Sequence, residues 1–269
     1  MYNLSTNIQI MGILNLTPDS FYSEPEISLE MRMEKLLGAD IIDVGAESSR
    51  PGALPISSDE EIKRIAVLLP LISQHTSLQL SIDTYKPKTA LFALQSGFNI
   101  VNDITGGNSA EMLDIVADHN AKIILMHMQG TTTTMQNNPL YNDVIDDILA
   151  FLEDRIGRAI NAGISHEKII IDPGIGFGKT ISDNDKIISN IEKLKSLGFP
   201  VLIGLSRKSF LQCNDDLPSE RLAVTISANT LSMLNGVDII RVHDVEEHIK
   251  TRTVLSRMSS KYSGGLYGC

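Results

Sequence analysis

Eight short runs rich in β-branched and other apolar residues recur along this 269-residue chain, each followed by a stretch with helical periodicity. That alternation constrains the fold more than any other feature, because parallel strands need a crossover between them and a helix is the usual one. The runs cover residues 9–16, 40–45, 79–84, 99–103, 122–127, 168–173, 200–206 and 238–243. The helical stretches cover about 28–37, 58–74, 86–96, 109–119, 143–162, 183–197, 218–235 and 245–257. Gly38, Gly97, Gly163, Gly198 and Gly236 each follow a helical stretch, where a left-handed residue ends a helix. Eight strand–helix pairs predict an α/β fold, a (β/α)8 TIM barrel. It forms a single domain over residues 1–258, with 259–269 as a flexible tail. An open doubly wound sheet is the alternative.

In such a barrel the chemistry sits where the strands end. The ends read Asn15, Asp43, Asp83, Asn102 with Asp103, His127, Asp172, Ser206-Arg207-Lys208, and Arg241 with His243. One polar strand end caps the next helix or meets solvent; a polar end on every strand asks for a further reason. Asp43 reads as a partner for the loop amides of "DVGAESSRPG", and His127 as a packed core histidine. Asp83, Asn102 and Asp172 converge from the third, fourth and sixth strands, and such planar acceptors and donors suit a flat heterocycle with N–H edges. Arg207, Lys208, Arg241 and His243 gather at loops 7 and 8, the usual phosphate corner of this barrel, so the pocket is expected to take a neutral polar ring at one end and an anion at the other.

The stretch "IIIDPGIGFGKT", residues 169–180, ends in Gly-Lys-Thr and so raises a phosphate-cradling loop. Pro173 excludes it: the cradle needs a glycine there, and proline has a fixed φ and no N–H to donate. What remains is Asp172, a carboxylate closing an apolar run, where a charge is costly unless it is used. The formal charge of −10 and a sequence pI near 5.0 argue against nucleic acid or an anionic membrane surface as a partner. Two cysteines, Cys213 and Cys269, make neither a disulfide framework nor a cysteine-rich zinc site. The apolar start from Ile8 to Leu16 is too short to span a bilayer. A soluble, cytoplasmic protein is expected.

In chain order, "MGILNLTPDSF", "DVGAESSRPG", "SIDTYKP", "NDITGG", "LMHMQGT", "DPGIGFGKT", "GLSRKSF" and "IIRVHDV" together resemble the dihydropteroate synthases, a pterin-binding family. The likeness runs from about Met11 to Asp244. It implies a homodimeric barrel of the folate pathway that joins 6-hydroxymethyl-7,8-dihydropterin diphosphate to 4-aminobenzoate, releasing diphosphate and 7,8-dihydropteroate, with Mg2+ as cofactor. Sulfonamides compete for the aminobenzoate site of this family. Carried onto this chain, the resemblance makes Asn15 a Mg2+ ligand and Asp83, Asn102, Asp172 and Lys208 the readers of the pterin. Arg241 and His243 anchor the diphosphate, and Arg241 also lies against the pterin face. Ser49, Arg50, Pro51, Phe177 and Ser209 line the aminobenzoate region, while Ile104, Met126, Met128, Gly176 and Arg207 complete the substrate pocket. Asp83, Lys208, Arg241 and His243 form the catalytic set.

The chain departs from the family pattern at several places. The first loop reads "DSFYSEPE" where the family usually has "DSFSDGG", and it is several residues shorter before the second strand. "GGEST" has become "GAESS", placing Ala46 where Gly is usual and keeping the hydroxyl at Ser49. Thr132 replaces the Pro of "MQGTP", and Val224 stands where Gly is common. No proposed catalytic group is lost. Two rival readings remain: a pterin-dependent methyltransferase, which shares the barrel and the pterin readers but handles no diphosphate, and a non-catalytic pterin-binding homologue, favoured by the altered first loop.

Overall fold

The computed structural model describes residues 8–17, 27–48, 52–73, 78–213 and 216–262, with side chains as far as Met258. Ser49, Arg50, Pro51 and the stretch 18–26 that carries the altered first loop lie outside the described residues. Eight strands form: β1 Gln9–Asn15, β2 Ile41–Gly45, β3 Gln79–Asp83, β4 Ile100–Asp103, β5 Lys122–Met126, β6 Ile169–Asp172, β7 Leu202–Ile203 and β8 Ile239–Val242. All neighbours pair in parallel in the order β6-β5-β4-β3-β2-β1-β8-β7. The two ends meet through one parallel bridge, Ile171 to Val201, where the Ile171 N–H donates to the Pro200 carbonyl at 2.9 Å. The result is a nearly closed (β/α)8 barrel in one domain, and the open doubly wound sheet is excluded.

β7 is much shorter than residues 200–206 predict. The Val201 carbonyl accepts from both Asp238 and Ile239, and the Val201 N–H is taken by the Asp238 carboxylate at 2.8 Å. Forked and side-chain bonds therefore replace the ladder at the start of this strand.

The helices are α1 Leu29–Glu34, α2 Ser58–Ala66, α3 Leu69–Ile72, α4 Pro87–Gln95, α5 Ala110–Asp118, α6 Val144–Asn161, α7 Ile181–Ser189, α8 Ile191–Lys195, α9 Leu222–Leu234 and α10 Val245–Tyr262. Two expected helices are each broken in two. The break in 58–74 falls just before Pro70, which has no N–H for the preceding turn. The break in 183–197 falls at Asn190, whose φ of −125° and ψ of 28° leave the helical region. α7 starts earlier than expected because Thr180 caps it: the Asp183 N–H donates to the Thr180 hydroxyl at 3.2 Å and the Thr180 N–H donates back to the Asp183 carboxylate at 2.9 Å. The threonine of Gly-Lys-Thr is thus a helix cap. Of the five helix-ending glycines, Gly97, Gly163, Gly198 and Gly236 are left-handed and Gly38 is not. Gly38 is small for another reason, since a Cβ there would come within 2.9 Å of the Ile249 Cδ1. Among the described residues no helix is long and apolar enough to cross a membrane.

The strands read as nearly continuous Ile, Val and Leu because each is buried on both faces. Outward residues such as Ile10, Ile42, Val101, Ile123 and Ile240 pack with the helices in one large core. Inward residues Met11, Ile41, Ile100, Ile124, Ile170, Leu202 and Ile239 form a separate apolar plug that fills the barrel axis. Strand side chains alternate with period two, so the residue two places beyond each plug residue faces the axis one layer nearer the mouth. This layer is the floor of the site.

Candidate active site

From the plug upward, the next inward layer comprises Ile13, Asp43, Asn102, Met126, Asp172, Gly204 and Arg241, with Asn15 and His243 a further two residues along β1 and beyond β8. Register brings Asn15 level with Gly45, Gly45 with Asp83, and Asp83 with Asn102. The chain therefore sets a mostly polar ring directly on a dry plug.

Arg241 is the centre of that ring. Its Nε donates to Asp43 Oδ2 at 2.6 Å and its Nη2 to Asp83 Oδ2 at 2.8 Å, while Asn102 Nδ2 donates to the same Asp43 oxygen at 3.1 Å. Asp43 is fully buried, and its other oxygen has no hydrogen-bond partner among the described residues. The reading of Asp43 as a partner for loop amides is thereby corrected: it is the anchor of Arg241. The signal was present in the alternation, since Asp43 follows the plug residue Ile41 by two, as Asn102 follows Ile100 and Asp172 follows Ile170. Burial opposes the Arg241 charge, but the carboxylates of Asp43 and Asp83 outweigh it and raise its pKa. Burial pushes Asp83 up to about 7; Arg241 pulls it back, and Asp43, Glu61 and Asp103 add to the rise. Asp83 and Ile104 line a small cavity with Glu47, Glu61, Thr84 and Tyr85.

On β6, Asp172 Oδ1 accepts the Gly174 N–H at 2.7 Å, and Oδ2 has no hydrogen-bond partner among the described residues. Burial raises its pKa against the pull of that amide and of Lys208, Lys179 and Arg241. Lys208 donates to the Ile175 carbonyl and lies 4.7 Å from the centre of the Phe177 ring. Burial pushes Lys208 down to about 8, offset in part by Asp172 and Asp83. Asp172, Lys208, Asp83 and Arg241 thus lie near enough to sense one another's charge. The loop that carries Asp172 fits only with glycine. At Gly174, with φ of 69°, a Cβ would fall 1.8 Å from the His127 carbonyl oxygen, and at Gly176, with φ of 79°, it would meet Lys208 Cδ at 3.2 Å.

The other sequence-derived residues fall as follows. His243 Nδ1 lies 2.9 Å from the Ser206 hydroxyl, which also accepts the His243 N–H at 3.2 Å. Ser209 opens a short 3-10 turn beside Lys208 and is exposed. Met126 is buried at the end of β5, and Met128 and Phe177 are half-buried. Arg207 is turned elsewhere: its guanidinium pairs with Asp244 at 3.2 and 2.5 Å, and its left-handed backbone, with φ of 60°, is held by Thr225 and Arg221. His127 is the packed core histidine it reads as, edge-on to Phe151 at 4.8 Å. Asp103 accepts from Thr105 and Gly107 and shapes its own loop. Asn15 Oδ1 and Asp83 flank Gly45, where an added Cβ would meet them at 3.4 and 3.7 Å. Among the described residues no three His, Cys, Asp or Glu side chains converge on a metal position.

The model of the pterin binding enzyme family matches residues 11–243. The chain is 39% identical to the dihydropteroate synthase of Clostridium beijerinckii over 256 residues, covering 92% of this chain and 93% of that protein. Among solved structures it is similar to the Yersinia pestis dihydropteroate synthase with a sulfonamide drug complex, with a TM-score of 0.89 and 34% identity over 96% of each chain. It is similar as well to the Xanthomonas albilineans dihydropteroate synthase with 4-aminobenzoic acid, with a TM-score of 0.87 and 37% identity over 94% and 93% of the two chains.

Proposed function

The chain belongs to the pterin-binding enzyme family, and from that premise we propose that it joins 6-hydroxymethyl-7,8-dihydropterin diphosphate to 4-aminobenzoate. A C–N bond forms between the exocyclic methylene and the arylamine, the C–O bond to diphosphate breaks, and the amine releases one proton. The products are 7,8-dihydropteroate and diphosphate. The observation that carries this reading is Arg241, gripped by Asp43 and Asp83 within a ring that also holds Asn102 and Asp172.

The electron-rich dihydropterin can carry positive charge at its methylene, so charge separation is the barrier to be lowered. Arg241 and His243 stabilise the departing diphosphate by preorganised electrostatics. Asp83 offsets the cation, and Asp172, Asn102 and Lys208 hold the pterin edge. The arylamine is neutral near pH 7 and needs no strong base to act as the nucleophile. Phe177 and Ser209 lie on the aminobenzoate side, to which the family resemblance also assigns Ser49, Arg50 and Pro51. Arg207 acts on substrate only through the loop it shares with Lys208, because its own charge is met by Asp244.

Mg2+ would be held by Asn15, whose single amide oxygen beside Asp83 fits an ion that takes its other ligands from water and diphosphate. Bound there, it would neutralise charge on the leaving group. Calorimetric titration of the free protein with Mg2+ is expected to give no resolvable binding, and to give binding once diphosphate is present. Tight binding to the free protein would remove Asn15 from this role.

Mixing both substrates and measuring 7,8-dihydropteroate and diphosphate tests the reading. A methyltransferase would release no diphosphate; a non-catalytic homologue would bind pterin and form nothing. The same reading makes the chain a homodimer acting in the cytoplasm, and sedimentation would report the dimer. Because Asp83 titrates near 7 and acts as the carboxylate, kcat is expected to rise with pH through about 7. Asp83→Asn should lose that limb and lower kcat by roughly 10²-fold. A pH profile unchanged in the variant would take Asp83 out of the charge-separating step.

A further inference from the structure

The Gly-Lys-Thr end of "DPGIGFGKT", excluded as a phosphate loop, leaves Lys179 with no part in the mechanism above. Its side chain is one of the most buried charged groups in the protein, 4% exposed. The ammonium donates to His127 Nδ1 at 2.9 Å, to the Phe177 carbonyl at 3.0 Å and, at the long limit, to the His127 carbonyl at 3.5 Å. None of these partners is an acid, and among the described residues no carboxylate lies within salt-bridge distance of it. A buried cation with neutral partners is costly, and packing alone would favour an apolar side chain.

What the charge faces explains it. Burial pushes the Lys179 ammonium down to about 7; Asp172 at the end of β6 is the strongest source of opposite charge supporting it, Asp183 in the first turn of α7 a lesser one, and Lys208, from the loop after β7, repels it. His127, beyond β5, stays neutral, since burial and Lys179 itself push its imidazole down to about 3. Lys208 fastens the Ile175 carbonyl and Lys179 the Phe177 carbonyl, so two ammonium groups tie down the same short loop at alternate residues. The carboxylate at the root of that loop is Asp172, whose own surroundings are the Gly174 amide, Lys208, Lys179 and Arg241.

We propose that Lys179 is a positioning residue for the pterin pocket: from its seat on His127 and Phe177 it holds the Asp172 loop in place and, while protonated, supplies positive charge that favours an Asp172 carboxylate able to accept the ring N–H groups. This rests on the function proposed above only where it names the pterin. The charge coupling stands without it.

Lys179→Gln tests the inference, because a carboxamide keeps donors for His127 and Phe177 and removes only the charge. His127→Gln is the companion, disturbing the packing and keeping the ammonium. Carboxyl resonances of selectively labelled protein give the Asp172 titration with no substrate present. The midpoint is expected to move up by about one pH unit or more in Lys179→Gln and to stay near its starting value in His127→Gln. Binding of a 6-hydroxymethylpterin should weaken in Lys179→Gln and not in His127→Gln when measured at pH 6, below the value near 7 to which burial pushes Lys179, so that the wild-type ammonium is charged. Equal effects in the two variants, or an unmoved midpoint in Lys179→Gln, would overturn the proposal and leave Lys179 a packing residue. If Lys179→Gln does not fold, Lys179→Met is titrated in its place against the same expectation. A shifted midpoint in a protein that binds no pterin in any form would instead refute the pterin reading and leave the coupling intact.

Discussion

Arg241→Met is expected to lower kcat by roughly 10²–10³-fold, the usual loss when a preorganised charge is removed from a developing anion, and also to destabilise the fold. Destabilisation is unusual for an active-site substitution. It follows here because Arg241 is the counter-charge of Asp43, which has no exposed surface and no other cation within hydrogen-bond reach among the described residues. Stranding such a carboxylate costs about 3–5 kcal/mol. Adding Asp43→Asn to the same chain removes the stranded charge while keeping an amide for Asn102 to meet. Denaturant melts should therefore show most of the lost stability returning in the double variant, and steady-state assays should show kcat staying low. The two roles of Arg241 separate in that cycle. A single variant that melts like wild type would mean that Asp43 does not depend on it, and near-normal turnover would move the anion site elsewhere.

Asp172→Asn carries the second largest expected effect, and it falls on binding. One carboxylate oxygen is committed to the Gly174 amide at 2.7 Å, which leaves the other as the acceptor for a ligand N–H. An amide there keeps the size and can turn a donor toward a donor. A buried mismatch of this kind costs about 1–3 kcal/mol, and more when the lost partner is charged. KM for the pterin diphosphate is expected to rise by roughly 10²-fold, with KM for aminobenzoate nearly unchanged. The fold should be little affected, since the asparagine oxygen can still accept the Gly174 N–H and among the described residues no cation lies within salt-bridge distance of Asp172. If both KM values rose together, Asp172 would be shaping the whole loop and not reading one ring.

The barrel was legible because its signal is local and repeated. Each strand reads as an apolar run, each helix has its own period, and four of the polar strand-end residues, Asp43, Asn102, Asp172 and Arg241, stand two places beyond a plug residue. Asn102, Asp172 and Arg241 could be picked out on those grounds and do meet in one layer. Other features depended on partners far away in sequence. β7 loses most of its ladder to bonds with Asp238, and the Lys179 charge makes sense only once His127 and Asp172 lie around it. Asp43 and Arg241 are 198 residues apart, and nothing near either residue announces the other.

The sequence by itself determined the eight-fold alternation, the apolar plug and the residue types offered at the mouth, because period-two side-chain direction and two-sided burial are properties of each short segment. Only the tertiary structure decided which of those polar groups hold one another and which are left for a ligand. A charge inside a barrel is governed by the low-dielectric surroundings and by counter-charges from other strands, and neither can be read within the span of a single strand.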